Sequence, residues 1–334
     1  MADILKISVI GSGTWGCALA AILKDKGNDV TLWSYFKEEC EELKNTQRVK
    51  NLPDFVMPAG ICYTSDIKEA TENKEVLVLV TPSSAISKTA EAMCPYVKSG
   101  AVVVCASKGF DPETQKTLTE TIKEKIPSAN VAALSGPSHA EEVAKKMPTT
   151  LVAASNSKEV RESLQELFMT DYLRIYTNED ILGVEIGAAL KNIIALCAGI
   201  SDGLGLGDNA KAALMTRGIS EISRLGVAMG AKSSTFGGLS GIGDLIVTCT
   251  SMHSRNRRAG ILIGQGKTKD EAMAEVNMVV EGVYATKEAY KLAQKYNVEM
   301  PIIQEVYSVL FDGKLAKDAV FNLMTRSRKN EIDD

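Results

Sequence analysis

The amino-acid sequence predicts an α/β chain in two parts: a doubly wound, mainly parallel sheet first, then an all-helical region. Three observations carry this. A strand-like run, 4–10, ends in the glycines Gly11, Gly13 and Gly16, spaced G-x-G-x-x-G, and continues into Ala-rich helical sequence. Short β-rich runs then alternate with helical patterns as far as Asn178, the order that builds a parallel sheet with helices on both faces. Beyond that point strand signals vanish and long helical patterns fill the chain.

Candidate strands cover 4–10, 29–33, 76–80, 101–106, 130–134, 149–154 and 173–177. Helical patterns cover 15–26, 36–45, 84–97, 114–125, 138–145 and 158–168. Thr81-Pro82-Ser83 is expected to end the third strand in a turn and to cap the next helix. The second part reads as helices over 180–201, 209–229, 255–265, 269–276, 281–296, 301–311 and 316–326. The expected domains are residues 1–179 and 180–334. The charged tail, 328–334, is expected to fray.

Composition narrows the class. With 334 residues and 45% hydrophobic content, the chain can bury two substantial cores. A net charge of −4 argues against general nucleic-acid binding, which favours basic surfaces. No uninterrupted apolar run reaches the length of a membrane span, so none is expected. The first residues lack a signal peptide's basic start and apolar stretch, so a cytoplasmic protein is expected. Seven scattered cysteines without a Cys-x-x-Cys pair fit reduced thiols. Only His139 and His253 are present, so no histidine-based metal site is expected.

The glycine turn points to a Rossmann-type dinucleotide site. Such a turn lets the backbone approach a pyrophosphate, which then lies on the positive end of the following helix. The second apolar run, Val30-Thr31-Leu32-Trp33, arrives about 20 residues on, as a βαβ unit requires. Its end reads Ser34-Tyr35-Phe36, with no acid before Glu38 and no arginine. An acid there would receive the ribose 2′-hydroxyl of NAD, whereas Ser34 and Lys37 tolerate a 2′-phosphate. The reading leans to NADP(H), with use of NAD(H) kept open.

Several residues stand out chemically. Lys191 is the only charged residue between 186 and 200 in a helix apolar on nearly every side. Burial would lower its pKa, as a general acid/base requires, although a lysine snorkelling to a helix edge or paired with a carboxylate fits the pattern equally. Lys108 and the run Ser135-Gly136-Pro137-Ser138-His139 follow strand ends, where ligands of open α/β sheets bind, and Ser138 could cap a helix. Taken alone, Lys108 reads as a solvated loop lysine and His139 as a packed histidine. The Gly-rich turn 237–243 delivers Asp244. Ser254 reads as an N-cap followed by Arg255, Asn256, Arg257 and Arg258; cations at a helix N-terminus oppose the dipole unless an anion binds there. An exposed basic face explains Arg257 or Arg258 better than Arg255. Glu281 alone reads as an acid in a helix's first turn.

Taken in order, Gly11-Ser-Gly-Thr-Trp-Gly16, Ser107-Lys-Gly109, Ser135-Gly-Pro-Ser138, Leu190-Lys-Asn192, Gly243-Asp-Leu245, Ser254-Arg-Asn-Arg-Arg258 and Val280-Glu-Gly282 resemble the bacterial-type NAD(P)-dependent glycerol-3-phosphate dehydrogenases over nearly the whole chain. The resemblance implies a helical second domain like that of 6-phosphogluconate dehydrogenases, a homodimer, and reversible hydride transfer between a nicotinamide and the dihydroxyacetone phosphate/sn-glycerol 3-phosphate pair. It implies Lys191 as the acid/base and Lys108 as a contact to substrate and nicotinamide. Asn192, Asp244 and Thr248 would line the substrate site. Ser254, Arg255 and Asn256 would hold the phosphate, with Gly136 and Ser138 nearby. Thr14, Trp15, Tyr35, Ala140, Arg255, Val279 and Glu281 match its cofactor contacts, although members often carry a basic residue where this chain has Tyr35. Two other readings compete: another two-domain reductase of the 6-phosphogluconate or ketopantoate type, and a nucleotide-sensing regulator without turnover.

Overall fold

A computed structural model describes residues 4–331. The sheet-bearing part runs β1 (Lys6–Ile10), α1 (Thr14–Asp25), β2 (Asp29–Trp33), α2 (Lys37–Thr46), β3 (Arg48–Val49), β4 (Leu52–Val56), β5 (Cys62–Thr64), α3 (Ile67–Thr71), β6 (Val76–Leu79), α4 (Ile86–Met93), β7 (Val102–Cys105), α5 (Leu118–Lys125), β8 (Asn130–Ser135), α6 (Ala140–Ala144), β9 (Thr149–Ala154), α7 (Lys158–Phe168) and β10 (Leu173–Asn178). The helical part follows: α8 (Ile181–Gly203), α9 (Gly207–Ala228), α10 (Ser233–Phe236), a π-turn (Leu239–Gly243), α11 (Asp244–Thr250), α12 (Arg255–Gly264), α13 (Lys269–Val276), α14 (Glu281–Lys295), α15 (Pro301–Phe311) and α16 (Ala316–Met324).

Eight strands form one sheet in the order β10-β9-β8-β7-β6-β1-β2-β5. Every neighbouring pair is parallel except β8 and β9. Apolar runs such as Val76–Leu79, buried throughout, suit a sheet covered on both faces. One face packs on α1 and α7 through Leu19, Leu23, Leu164 and Phe168. The other packs on α4 and α5 through Ile86, Met93, Leu118 and Ile122. The direction in which successive strands are added reverses between β1 and β6, and ligands of open sheets bind beside such a switch point.

The short pieces depart from expectation. β3, β4, β5, α3, α10 and α11 have no counterpart in the sequence pattern, because each is too brief to show a period. Ser83 does not cap α4; its hydroxyl donates to Glu281 instead. Ser138 does not cap α6 either, since His139 holds the N-cap position and Ser138 Oγ turns back to the Gly136 carbonyl at 3.0 Å. Ser254 does cap α12, accepting from the Arg257 N–H at 3.2 Å. In the tail, 328–331 carry no helix or strand, and 332–334 lie outside the described residues.

The helical part is organised on α8. Its carboxylate cap, Asp180, accepts from Gly183 N at 3.0 Å. By length and apolarity (mean hydropathy 1.8) α8 could span a membrane, but 89% of that stretch is buried inside the protein. It passes next to α12 along a seam of four glycines. A Cβ on Gly199 would come within 2.1 Å of the Arg257 carbonyl oxygen, and one on Gly260 within 2.1 Å of the Leu196 carbonyl oxygen. Gly203 and Gly264 repeat the pattern one turn on, against Ile261 and Ile200. The two backbones therefore touch, and their register brings Asn192 and Asn256 side by side.

The two parts are joined by polar contacts. Glu185 of α8 is buried and accepts from Thr119 N at 2.9 Å and from the Thr119 hydroxyl, so a carboxylate far away in sequence satisfies the first turn of α5. Burial pushes the Glu185 carboxyl up to about 7.

Gly260→Ala tests the seam. An exposed Gly→Ala change within a helix normally stabilises by about 1 kcal/mol. Here the added methyl meets a carbonyl oxygen, and a loss of about 3 kcal/mol is expected in urea denaturation. A gain in stability would show that the backbones do not touch.

Candidate active site

The glycine turn has the shape its spacing predicts. Gly11 adopts φ +125°, and a Cβ there would stand 2.9 Å from the Val80 carbonyl group. A Cβ on Gly16 would stand 1.9 Å from the Gly11 carbonyl oxygen, so that glycine lets α1 lie against the turn. Gly13 is the N-cap of α1; it has no capping side chain, and a Cβ on it would meet nothing within 4 Å. No acid occupies the first turn of α1. The free N–H groups there, the dipole and the open approach over Gly13 fit a pyrophosphate. Thr14 and Trp15 follow in that first turn, half-buried. Tyr35 stands at the end of β2, 75% exposed, with its ring against Trp33 and Phe36.

In the helical part, α8 carries Lys191, only 6% exposed. Its Nζ donates to Asp244 Oδ1 at 2.8 Å and to Thr248 Oγ1 at 2.6 Å. An ammonium has three donors, so one hydrogen is uncommitted among the described residues. Asp244 begins α11 and is buried. Its other oxygen, Oδ2, accepts from Lys108 Nζ at 2.7 Å. Lys108 comes from the loop after β7 and also donates to the Gly136 carbonyl at 3.0 Å and Ser138 Oγ at 3.2 Å. One carboxylate thus holds a lysine from each part of the chain.

The charges follow from this packing. Burial lowers the Lys191 pKa, Asp244 resists the fall and Lys108 adds to it, leaving it at about 8. Burial alone would raise Asp244, but the two lysines hold its carboxyl below the usual range. Burial, and then Lys191, keep the His139 ring below the ordinary histidine range. His139 packs 5.7 Å from the His253 ring, and its Nε2 is buried without a hydrogen-bond partner.

Beside Lys191, Asn192 accepts from Asn256 Nδ2 at 3.0 Å, and Asn256 Oδ1 accepts from Gly282 N at 2.8 Å. The Asn256 amide therefore keeps one N–H for a ligand. Ser254 Oγ accepts from Arg257 N and keeps its own hydrogen to donate. Arg255 is half-buried and has no hydrogen-bonded carboxylate among the described residues. Burial lowers its pKa, against the attraction of nearby Glu281. Arg257 is occupied elsewhere, with Nε on Asp202 Oδ2 at 2.8 Å and Nη1 on the Thr250 carbonyl. Arg255, the first residue of α12, is thus free of a carboxylate partner; Arg258 one turn on has none either among the described residues, its Nε buried without a hydrogen bond.

Glu281, the first residue of α14, accepts from the Ser83 hydroxyl at 2.8 Å. It closes the helical part onto the end of β6, and burial pushes its carboxyl up. Ala140 is buried, whereas Val279 is 40% exposed. The contacts of Glu281 with Ser83 and of Glu185 with Thr119 escaped sequence reading. Their partners lie 198 and 66 residues apart, and each member is an ordinary polar residue in its own neighbourhood.

A switch-point nucleotide turn, together with a buried lysine and an unpaired arginine, defines a two-domain, dinucleotide-dependent oxidoreductase. Comparison with known proteins carries this further. Residues 6–161 match the family described as NAD-dependent glycerol-3-phosphate dehydrogenase N-terminus, and residues 180–321 match its C-terminus. A glycerol-3-phosphate dehydrogenase [NAD(P)+] of Fusobacterium nucleatum subsp. nucleatum is 56% identical over 332 residues, covering 98% of this chain and 99% of its own. One from Agathobacter rectalis is 52% identical over 327 residues, covering 98% and 97%. The crystal structure of glycerol-3-phosphate dehydrogenase from Coxiella burnetii superposes with a TM-score of 0.94 at 37% identity, covering 97% of this chain and 99% of that one. The chain belongs to the NAD(P)-dependent glycerol-3-phosphate dehydrogenase family.

Lys191 also marks the stability of the fold. Its native pKa of about 8 lies below the unfolded value of 10.5, so the unfolded chain binds more protons between those limits. Stability from this group rises with pH across that window. Relative to Lys191→Met, the protein should gain roughly 3 kcal/mol in urea denaturation between pH 8 and 10.5. A constant difference would mean that the lysine is not buried as an ammonium.

Proposed function

We propose that the chain reduces dihydroxyacetone phosphate reversibly to sn-glycerol 3-phosphate, with Lys191 as the proton carrier, in the cytoplasm and as a precursor supply for glycerophospholipids. The observation that carries the reading is the uncommitted N–H of a buried Lys191 within one helix pair of an unpaired Arg255. The bound nicotinamide supplies or accepts the hydride at C2. Lys191 Nζ gives its proton to the C2 oxygen during reduction and takes the hydroxyl proton during oxidation. Near neutrality a group titrating at about 8 serves both directions. Asp244 and Thr248 orient that ammonium, and Asn192 lines the same wall. Lys108 polarises the carbonyl by exchanging one of its three present acceptors for it.

The phosphate end falls to Ser254, Arg255 and Asn256, with Gly136 and Ser138 on the opposite side. A guanidinium, a hydroxyl and the N-terminal N–H groups of α12 suit a phosphate dianion. Gripping that remote group holds C2 within reach of the hydride. Gly11, Gly13, Thr14, Trp15, Gly16, Tyr35, Lys108, Ala140, Arg255, Val279 and Glu281 are proposed to hold the dinucleotide. The proposed division into domains is 1–179 and 180–334. A homodimer belongs to this reading; Val227, Leu315, Phe321 and Met324, exposed on the helical part, are apolar surface that an assembly would cover. Sedimentation equilibrium reads that state directly, and a monomer at all concentrations overturns it.

Lys191→Ala should lower kcat by about 100- to 10,000-fold with the nucleotide Kd kept. Near-normal turnover would remove the lysine from its role. In the unchanged protein, kcat/KM for ketone reduction should fall as pH rises through about 8. Arg255→Ala should raise KM for dihydroxyacetone phosphate by about 10- to 100-fold. An unmoved KM would place the phosphate elsewhere. Absence of NADH and NADPH oxidation with dihydroxyacetone phosphate would defeat the whole reading.

A further inference from the structure

The end of β2 lacks the acid that receives a ribose diol in NAD-specific sites, yet a carboxylate reaches that place from the next helix. Glu39, in the first turn of α2, points its Oε2 back to Ser12 Oγ at 2.8 Å and Ser34 Oγ at 2.7 Å. The two serine oxygens are themselves 2.8 Å apart. Ser12 is the residue between the first two glycines of the turn, and Ser34 is the residue after β2. Both serines are buried, at 6% and 1% exposure, while Glu39 is half-buried. The carboxylate is fixed at one oxygen by two hydroxyls. Its Oε1 accepts no hydrogen bond among the described residues.

We infer that Glu39 is the specificity-determining residue at the adenosine ribose and that it selects NAD(H) over NADP(H). The inference rests on the proposed dinucleotide site at the glycine turn. A carboxylate oxygen that is anchored nearby and free to accept suits a neutral 2′-hydroxyl donor. A 2′-phosphate at the same place brings a second anion against Glu39 in a partly desolvated setting. The basic neighbour, Lys37, lies two residues earlier on α2, and residues two apart on a helix do not share a face. The serines that suggested tolerance of a 2′-phosphate are already hydrogen-bonded to Glu39.

Binding can be read without turnover. The chain has two tryptophans, Trp15 in the first turn of α1 and Trp33 at the end of β2, and both flank this site. Energy transfer from them to a reduced nicotinamide gives Kd for NADH and for NADPH. The unchanged protein should bind NADH at least about tenfold more tightly. Glu39→Gln keeps an oxygen for the serines and removes the charge; it should tighten NADPH and close the gap to within about threefold. Glu39→Lys should reverse the preference. Circular dichroism confirms that each variant is folded, since Glu39 lies in a surface helix. Equal affinities in the unchanged protein, or a Gln variant that shifts both ligands by one factor, overturns the assignment. Binding of neither nucleotide would instead overturn the dinucleotide reading on which it stands.

Discussion

The Asp244 carboxylate is the interaction around which the site is built. It is almost wholly buried, and a lone buried carboxylate would be strongly unfavourable. Two ammonium groups make it tolerable: Lys191 from the helical part at 2.8 Å and Lys108 from the sheet-bearing part at 2.7 Å. Two lysines near one carboxylate leave a net positive charge in a place poor in water. Burial first, and Lys108 after it, let Lys191 part with a proton near neutrality, and the excess positive charge keeps Asp244 ionised. It also matches the negative charge that develops on a carbonyl oxygen during reduction. The same atoms join the two parts of the chain and tune the reactive group, so the mutual position of the parts and the acidity of the lysine are coupled.

Much of this was legible in the sequence. The seven strands read from it fall within a few residues of those observed, because most are buried apolar runs between turn residues, and β10 alternates buried Leu173 and Ile175 with exposed residues. The long helices of the second part show their period over many turns. Lys191 was conspicuous because its helix is apolar nearly all round, and Arg255 because a cation at a helix start needs an anion. The resemblance to a known family drew these residues into one site. The unread features are the cross-chain ones. Nothing near Asp244 tells that two lysines converge on it. Glu39 is hidden in the sequence because ribose acids usually end the strand, whereas this carboxylate comes from the first turn of the next helix. The brief strands and helices escaped because a few residues carry no period.

The arrangement also separates stiffness from adjustability. Glu185 on Thr119, Glu281 on Ser83 and Lys108 on Asp244 are side-chain links between the two parts, and side chains can exchange partners. The pair α8 and α12, by contrast, meets through main chain along its glycine seam, with Asn256 on Asn192 and Arg257 on Asp202 as side-chain links beside it.

That glycine seam makes the helix pair behave as a ruler. Lys191 and Asn192 stand on one edge and Ser254, Arg255 and Asn256 on the other, and at the glycines no side chain stands between the helices to stretch or compress the gap. Under the proposed roles, the distance from the reacting oxygen to the phosphate is measured from that fixed backbone spacing. A substrate with one carbon more or fewer between those groups would be measured wrongly at one end, however well each end suited its own pocket.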